Sequence, residues 1–279
     1  MRRLVVPLVA LTLLCGCDGT PSSVAASEAP STAPARETAP LHGELLQFRR
    51  DAEARVVQIR LTARESLAVE SVVVDVDGFR PPLAWQGTTT LPGGRPLDLR
   101  VTLTTPDCTA EPTDVAARVT VSGRTDPLVV PLDDGGLLRR LHESECADEA
   151  LLEQVRIAVV SMTETRVPEG PALRATVRIT RLSGRDAVRI AEVGGNTVYT
   201  VTPVGNLPTL AGGGWVDLVL DLFPSRCDVH ALGESYRTSL IDLRVAMGNA
   251  APRTFVFAPD DRVRRRIERF AVDTCRAES

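Results

Sequence analysis

The sequence predicts a mainly β protein built from two tandem β-sandwich units, each ending in a short α-helix. Three observations support this: an internal repeat, a series of short runs in which apolar and polar residues alternate, and a hydrophobic content of 43%. A length of 279 residues leaves room for two domains of ordinary size. The 32 basic residues, all arginine, are outnumbered by 36 acidic ones, which gives a net charge of −4. Nucleic-acid-binding proteins usually carry a basic excess, so we expect no nucleic-acid partner.

The repeat is clearest in two segments of equal length, residues 91–108 and 210–227, which align without a gap. Seven positions are identical, and both segments end in a cysteine, Cys108 or Cys227. In each, a glycine-rich turn, which we expect to be a hairpin turn, leads into an alternating strand. Another strand, a pair of aspartates, a helical segment and a second cysteine then follow in both copies. We interpret this ordered series as a tandem duplication.

Each copy contains about seven short strands, rich in β-branched residues and separated by Gly, Pro and Asp. The first strand is expected at residues 45–49. About seven strands in roughly 100 residues is typical of a β-sandwich. The pattern resembles immunoglobulin-like domains in architecture, although the Cys…Trp…Cys spacing of antibody domains is absent from the sequence. The predicted domains are residues 43–148 and 149–279, with a boundary near residues 147–153.

The N-terminus has the parts of an export signal: two arginines, then an apolar stretch at residues 4–14. That stretch is too short to span a membrane as a helix. It ends in Leu14-Cys15-Gly16-Cys17, which resembles the lipobox of bacterial lipoproteins. The resemblance implies that residues 1–16 are removed as a signal peptide and that Cys17 carries a lipid. A plain secretory signal with incidental cysteines is the alternative.

Residues 17–42 are dominated by Ala, Ser, Thr, Pro and Glu. Such a segment buries too little apolar surface to offset its ordering entropy, so we predict a disordered tether. Together with the lipobox, the tether predicts a protein that is anchored to the cell membrane through the Cys17 lipid, on the extracytoplasmic face.

Four cysteines remain after Cys15 is removed and Cys17 is lipidated. The duplication favours pairing within each copy, and exported proteins can retain such bonds. The predicted disulfides are Cys108–Cys146 and Cys227–Cys275. Zinc sites usually bring their ligands in close pairs, and the sequence has no Cys-x-x-Cys, so we expect neither a metal nor another cofactor.

The C-terminal helix, predicted at residues 262–274, places an apolar stripe beside a strongly basic surface. The basic residues considered as a binding patch are Arg262, Arg265, Arg266 and Arg269. Two interpretations are open. The first is a solvated face, partly neutralised by Glu268 and Asp273. The second is a docking patch for an anionic partner, such as lipid head groups, a phosphate-rich wall polymer or an acidic protein surface.

No Ser, His and acid occur in a recognised nucleophile context. The three histidines, His42 in the tether, His142 and His230, are expected at the surface. Trp85 and Trp215 are expected in the cores, where burial of the ring stabilises a small domain, rather than as sugar-stacking platforms.

Aspartate pairs follow a strand and precede a helix in both copies, which favours helix capping over a calcium site. The predicted function is therefore a non-catalytic binding or scaffolding lipoprotein at the cell envelope, with an envelope protein or an anionic wall or lipid component as partner. One alternative is an envelope enzyme whose loops assemble a site from Asp133, Asp228 or Asp260. Another is a lipoprotein that captures a solute or a metal.

Overall fold

The computed structural model describes residues 40–233 and 237–277. The predicted signal peptide, Cys17 and most of the predicted tether lie outside the described residues. As predicted, the described part of the chain is mainly β. None of its helices is long and apolar enough to cross a membrane.

The first half of the described chain contains nine strands and one long helix. They are β1 (Leu41–Leu46), β2 (Val56–Ala63), β3 (Leu67–Asp75), β4 (Phe79–Arg80), β5 (Leu83–Leu91), β6 (Pro96–Thr102), β7 (Thr105–Pro106), β8 (Ala116–Val121), β9 (Leu128–Asp133) and α1 (Leu137–Gln154). Seven of these strands form a sheet in the order β5-β3-β8-β9-β1-β2-β6, and β4 pairs with β7. All neighbours are antiparallel except β1 and β9, whose short parallel contact joins two groups of strands.

The second half contains eight strands and two helices. They are β10 (Val155–Val167), β11 (Gly170–Arg181), β12 (Val188–Gly194), β13 (Tyr199–Pro203), β14 (Thr209–Leu210), β15 (Trp215–Pro224), α2 (Val229–Gly233), β16 (Ile241–Met247), β17 (Arg253–Phe257) and α3 (Asp261–Ala277). The strands form two four-stranded sheets, β10-β11-β15-β13 and β14-β12-β16-β17. A β-bulge between Val159 and Ser161 interrupts the long β10–β11 hairpin.

The two halves share a pattern of strand neighbours. The antiparallel group β1-β2-β6 matches β10-β11-β15, and the group β3-β8-β9 matches β12-β16-β17. The strands that contain the aligned residues Asp98 and Asp217 take the same place in their groups. Each aspartate accepts two hydrogen bonds from an arginine directly opposite on the neighbouring strand, at 2.7 and 2.9 Å from Arg60 and at 2.8 and 3.0 Å from Arg178.

Alternation along the strands buries one set of side chains in each half, and these side chains form two separate hydrophobic clusters. The first cluster ends in sequence at Leu138 and the second begins at Leu151, although both residues belong to α1. The chain therefore passes from the first hydrophobic cluster to the second within α1. Residues 147–153, near which the domain boundary is predicted, are helical, because the Ala, Leu and Glu residues there are good helix formers that continue α1 as far as Gln154. The division into two domains stays a prediction.

Two local predictions are wrong. The first strand starts at Leu41 rather than residue 45, so His42 lies on β1 and not in the tether. The glycine-rich turn before β6 is not a hairpin turn, since β5 and β6 lie at opposite ends of their sheet. The second glycine-rich turn, between β14 and β15, joins two different sheets and is therefore not a hairpin turn either. Gly94, in the turn between β5 and β6, has a φ of +69°, in the left-handed region that favours glycine.

Candidate anion-binding groove

Helix α3 is fixed to the second core at its start and along its buried face. Asp260 caps the helix, because its Oδ1 accepts hydrogen bonds from the backbone N–H groups of Arg262 and Val263 at 2.9 and 3.0 Å. Ile267 is fully buried, and the Tyr199 hydroxyl donates a 2.7 Å hydrogen bond to its carbonyl oxygen. Burial raises the pKa of Tyr199, so its hydroxyl stays protonated and able to donate.

The C-terminal end of α3 is held by a disulfide. Cys227 and Cys275 have an S–S distance of 1.97 Å, and Cys108 and Cys146 in the first half have one of 2.01 Å. These are the two pairs that the repeat predicts. Each joins the chain after an aligned strand to the helix that follows in the same half, so both helices are linked covalently to their own half.

The four predicted patch residues lie together on one side of α3. Their positions follow the spacing i, i+3, i+4 and i+7, which places side chains on a common helix face. They are Arg262, Arg265, Arg266 and Arg269. All four are exposed. With the tip of the β10–β11 hairpin they line a cavity of about 690 Å³, here called the arginine groove, and the hairpin contributes Glu164, Pro171 and Leu173 to its opposite wall.

Few acidic groups neutralise the arginine groove. Arg265 lies 4.0 Å from Asp261, while the other three arginines make no ion pair with any described residue. Glu268, which we expected to neutralise this face, lies 3.9 Å from Arg264, outside the groove. Asp273 does line the groove, as expected, together with Glu164. Four positive and two negative side chains therefore give the groove a formal charge of +2.

In the first half, the arginines at the start of α1 have local partners. On α1, Arg139 lies 3.5 Å from Glu143, and Arg140 donates a 2.7 Å hydrogen bond to the Gly135 carbonyl. The cavity beside the Cys108–Cys146 disulfide has a volume of about 500 Å³ and is more acidic than basic. Its charged lining residues are Arg80, Asp107, Glu149 and Glu153.

The structure places one histidine away from the surface. His142 is buried, with 5% of its area exposed, and its Nε2 lies 3.0 Å from the Asp107 carbonyl oxygen. Its ring meets Phe79 edge-on at 5.7 Å between centroids. The expected surface position is therefore wrong, because the loop before Cys108 folds over this side of α1. His42 is exposed on β1 beside Glu44, with 3.4 Å between Nε2 and Oε1. The His230 side chain lies outside the description.

His142 also approaches the first disulfide. Ligand atoms of Cys108, His142 and Cys146 lie within 4.8 Å of one another, a grouping of the kind that can bind a metal. In this structure the two sulfur atoms are bonded to each other, and His142 Nε2 lies 3.5 Å from Cys146 Sγ. A disulfide sulfur cannot supply the thiolate that a zinc site needs, so the arrangement fits a covalent link rather than a metal centre.

The aspartates considered for catalysis act as local caps. Asp133 accepts a hydrogen bond from the Gly135 N–H at 3.1 Å, and its neighbour Asp134 accepts from the Leu138 N–H at 3.0 Å. Asp228 accepts from the Ala231 N–H at 2.9 Å, at the start of α2. Asp260 caps α3, so each of the three candidates serves a different turn or helix. This is the capping role that the sequence favours.

The two tryptophans differ in environment. Trp85 packs partly buried against the first core, as expected. Trp215 is 54% exposed, and its expected core position is wrong. It opens β15 at the sheet margin, where the Arg178 guanidinium covers one ring face at 3.7 Å from the centroid. Arg178 also forms an ion pair with Asp217, so the exposed Trp215 ring stacks on an arginine of its own sheet.

Comparisons with known proteins identify no family. No protein-family model matches the chain, and no curated protein matches it. Among solved structures, a Porphyromonas gingivalis W83 protein of unknown function is similar over 80% of this chain and 100% of its own, with 15% identity and a TM-score of 0.21. The Acinetobacter baumannii CsuC–CsuE chaperone–tip adhesion subunit pre-assembly complex gives 74% and 93% coverage, 12% identity and a TM-score of 0.19.

Proposed function

We propose that this protein is a lipid-anchored, extracytoplasmic lipoprotein that acts as a non-catalytic binding module at the cell envelope, with the arginine groove as its binding surface. The lipobox-like segment ending at Cys17 and the polar tether support the anchor. Two disulfides suit an oxidising compartment, where such bonds persist.

The observation that carries the binding role is the arginine groove itself. Four exposed arginines line a cavity large enough for a ligand. Three of them make no ion pair with a described acidic residue, and the fourth, Arg265, lies 4.0 Å from Asp261. Clustered like charges repel one another, and an anion that enters the cavity relieves this repulsion. A guanidinium presents several donors in a fixed fork, which suits carboxylate and phosphate groups. The partner is therefore expected to be anionic.

The proposal is tested with isolated envelopes of the producing cell and the full chain carrying C17S, so that a lipid anchor does not hold the protein. Reversing three groove charges, with R262E, R265E and R266E combined, should abolish its capture by the envelopes. A control with the same charge change, R124E, R139E and R140E combined, should retain capture, because those residues lie outside the groove.

The anchor is tested in the same cells. In the groove-reversed variant, C17S should move the protein from the membrane to the soluble extracytoplasmic fraction, whereas C15S should leave it on the membrane. Equal capture of both triple variants would contradict the groove as binding surface, and membrane retention of C17S in the groove-reversed variant would contradict the anchor.

A further inference from the structure

The shape of the arginine groove restricts what can occupy it. Helix residues from Arg262 to Ala277 line it, which at 1.5 Å per residue corresponds to a length of about 22 Å. The groove is therefore elongated along α3, and a ligand that contacts its whole length must be several units long.

The charges of the groove are concentrated at one end. The arginines between Arg262 and Arg269 cover about 10 Å of helix, whereas Asp273 and Thr274 line the following turn. One monovalent anion would leave most of this charge unbalanced. Because Asp260 already accepts hydrogen bonds from the first N–H groups of α3, an anion must be bound by the side chains rather than by the helix terminus.

The opposite wall adds an apolar contribution. Pro171 and Leu173 of β11, with Phe270 of α3, provide carbon surface beside the guanidiniums. Asp273 and Thr274 can form hydrogen bonds with hydroxyl groups. A chain that alternates anionic groups with short hydroxylated carbon units would match all of these features. Phosphodiester groups suit the guanidinium forks and keep one negative charge each at neutral pH.

We propose that the arginine groove binds an extended phosphodiester-linked polyol or sugar chain, with two successive phosphates held by the four arginines. The inference rests on the proposed function and specifies its ligand. It applies to the second half only, because the arginines at the start of α1 in the first half are engaged locally.

The test measures binding of the full chain to a defined poly(glycerol phosphate) oligomer by titration calorimetry. Glycerol 3-phosphate, polyglutamate and phosphatidylglycerol vesicles serve as comparison probes. The oligomer should bind at least 10-fold more tightly than either the monomer or polyglutamate. With two phosphates neutralised, the slope of log K against log salt should be about −1.4 to −1.8.

The variants supply the structural control. R266E should weaken oligomer binding at least 10-fold, while R276E, an exposed arginine of the same helix outside the groove, should change it less than 2-fold. Equal affinity for monomer and oligomer would overturn the extended-chain ligand.

Other results separate the inference from the proposed function. Arginine-dependent binding to vesicles or polyglutamate without oligomer binding would overturn the inference and leave an anion-binding function in place. Absence of binding to every probe, together with loss of envelope capture, would overturn both.

Discussion

At the residue scale, the Arg178–Asp217 pair shows how an aligned position is used in the sheet. Asp217 accepts both hydrogen bonds from the strand opposite, and this contact lowers the pKa of its carboxyl below the ordinary 3.8. Asp98 likewise accepts hydrogen bonds from an arginine, Arg60, and this contact also lowers the pKa of its carboxyl. Arg178 meanwhile stacks on Trp215, so one guanidinium links two strands and an exposed ring.

We expect D217N to lower the free energy of unfolding by about 1 kcal/mol at pH 7, because the charged hydrogen bonds are weakened. A lowered carboxyl pKa in the folded state contributes stability above the unfolded pKa. This contribution disappears as the pH falls through the lowered value. Denaturant unfolding of wild type and D217N should therefore converge at acidic pH. E169Q, at an exposed acid, should follow the wild type throughout; a pH-independent difference for D217N would contradict this explanation.

Residue environments were only partly predictable from sequence. The stripe of α3 follows helical spacing, so the buried Ile267 and Ala271 and the exposed arginines could be placed without coordinates. His142 could not, since its burial depends on a loop more than 30 residues earlier in the chain. The exposure of Trp215 also escaped prediction, because strand alternation does not specify what covers a strand end.

At the element scale, each C-terminal helix is held to its own half by one disulfide. The disulfides span 38 and 48 residues, and loops of this size correspond to about 4 kcal/mol each in the chain-entropy description. The pairing was predictable because the duplication reduces three possible connectivities to one. The length of α1 was not predictable. In the sequence, Cys146 follows the predicted helical segment, whereas the helix in the structure continues to Gln154.

Removing the second disulfide with C227S and C275S should lower the stability of the second core by about 4 kcal/mol and weaken anion binding. Binding falls because α3 carries the arginine groove. The matched pair C108S and C146S should destabilise the first core by a similar amount and leave binding intact. Denaturant unfolding followed by local amide exchange, with anion titration under folding conditions, measures both effects. Equal loss of binding in the two double variants would contradict the assignment of the groove to one half.

At the scale of the whole molecule, the described chain combines two hydrophobic clusters with one continuous helix between them. Strand neighbours match across the halves, yet the helix surfaces differ: α3 lines the arginine groove together with the β10–β11 hairpin, whereas Arg139 and Arg140 of α1 are engaged locally. Arg253 also donates a hydrogen bond to Asp148 of α1 at 2.5 Å, so the second half contacts the connecting helix through an ion pair.

Hydrophobic periodicity and the repeat were enough to predict the mainly β fold and the cysteine pairs. They could not predict the arginine groove, although they identified its four arginines. Its other wall comes from β10 and β11, about 100 residues earlier in the chain, and a cavity between distant elements leaves no local pattern. The parallel contact of β1 with β9 is equally non-local.

The most direct test of the central claim, that binding belongs to the arginine groove, is amide hydrogen exchange of the full chain with and without the poly(glycerol phosphate) oligomer. Exchange should slow in residues 262–277 and 164–173 and stay unchanged in the first core, residues 41–138. Slower exchange centred on the first core, or binding that protects neither wall of the groove, would contradict the account.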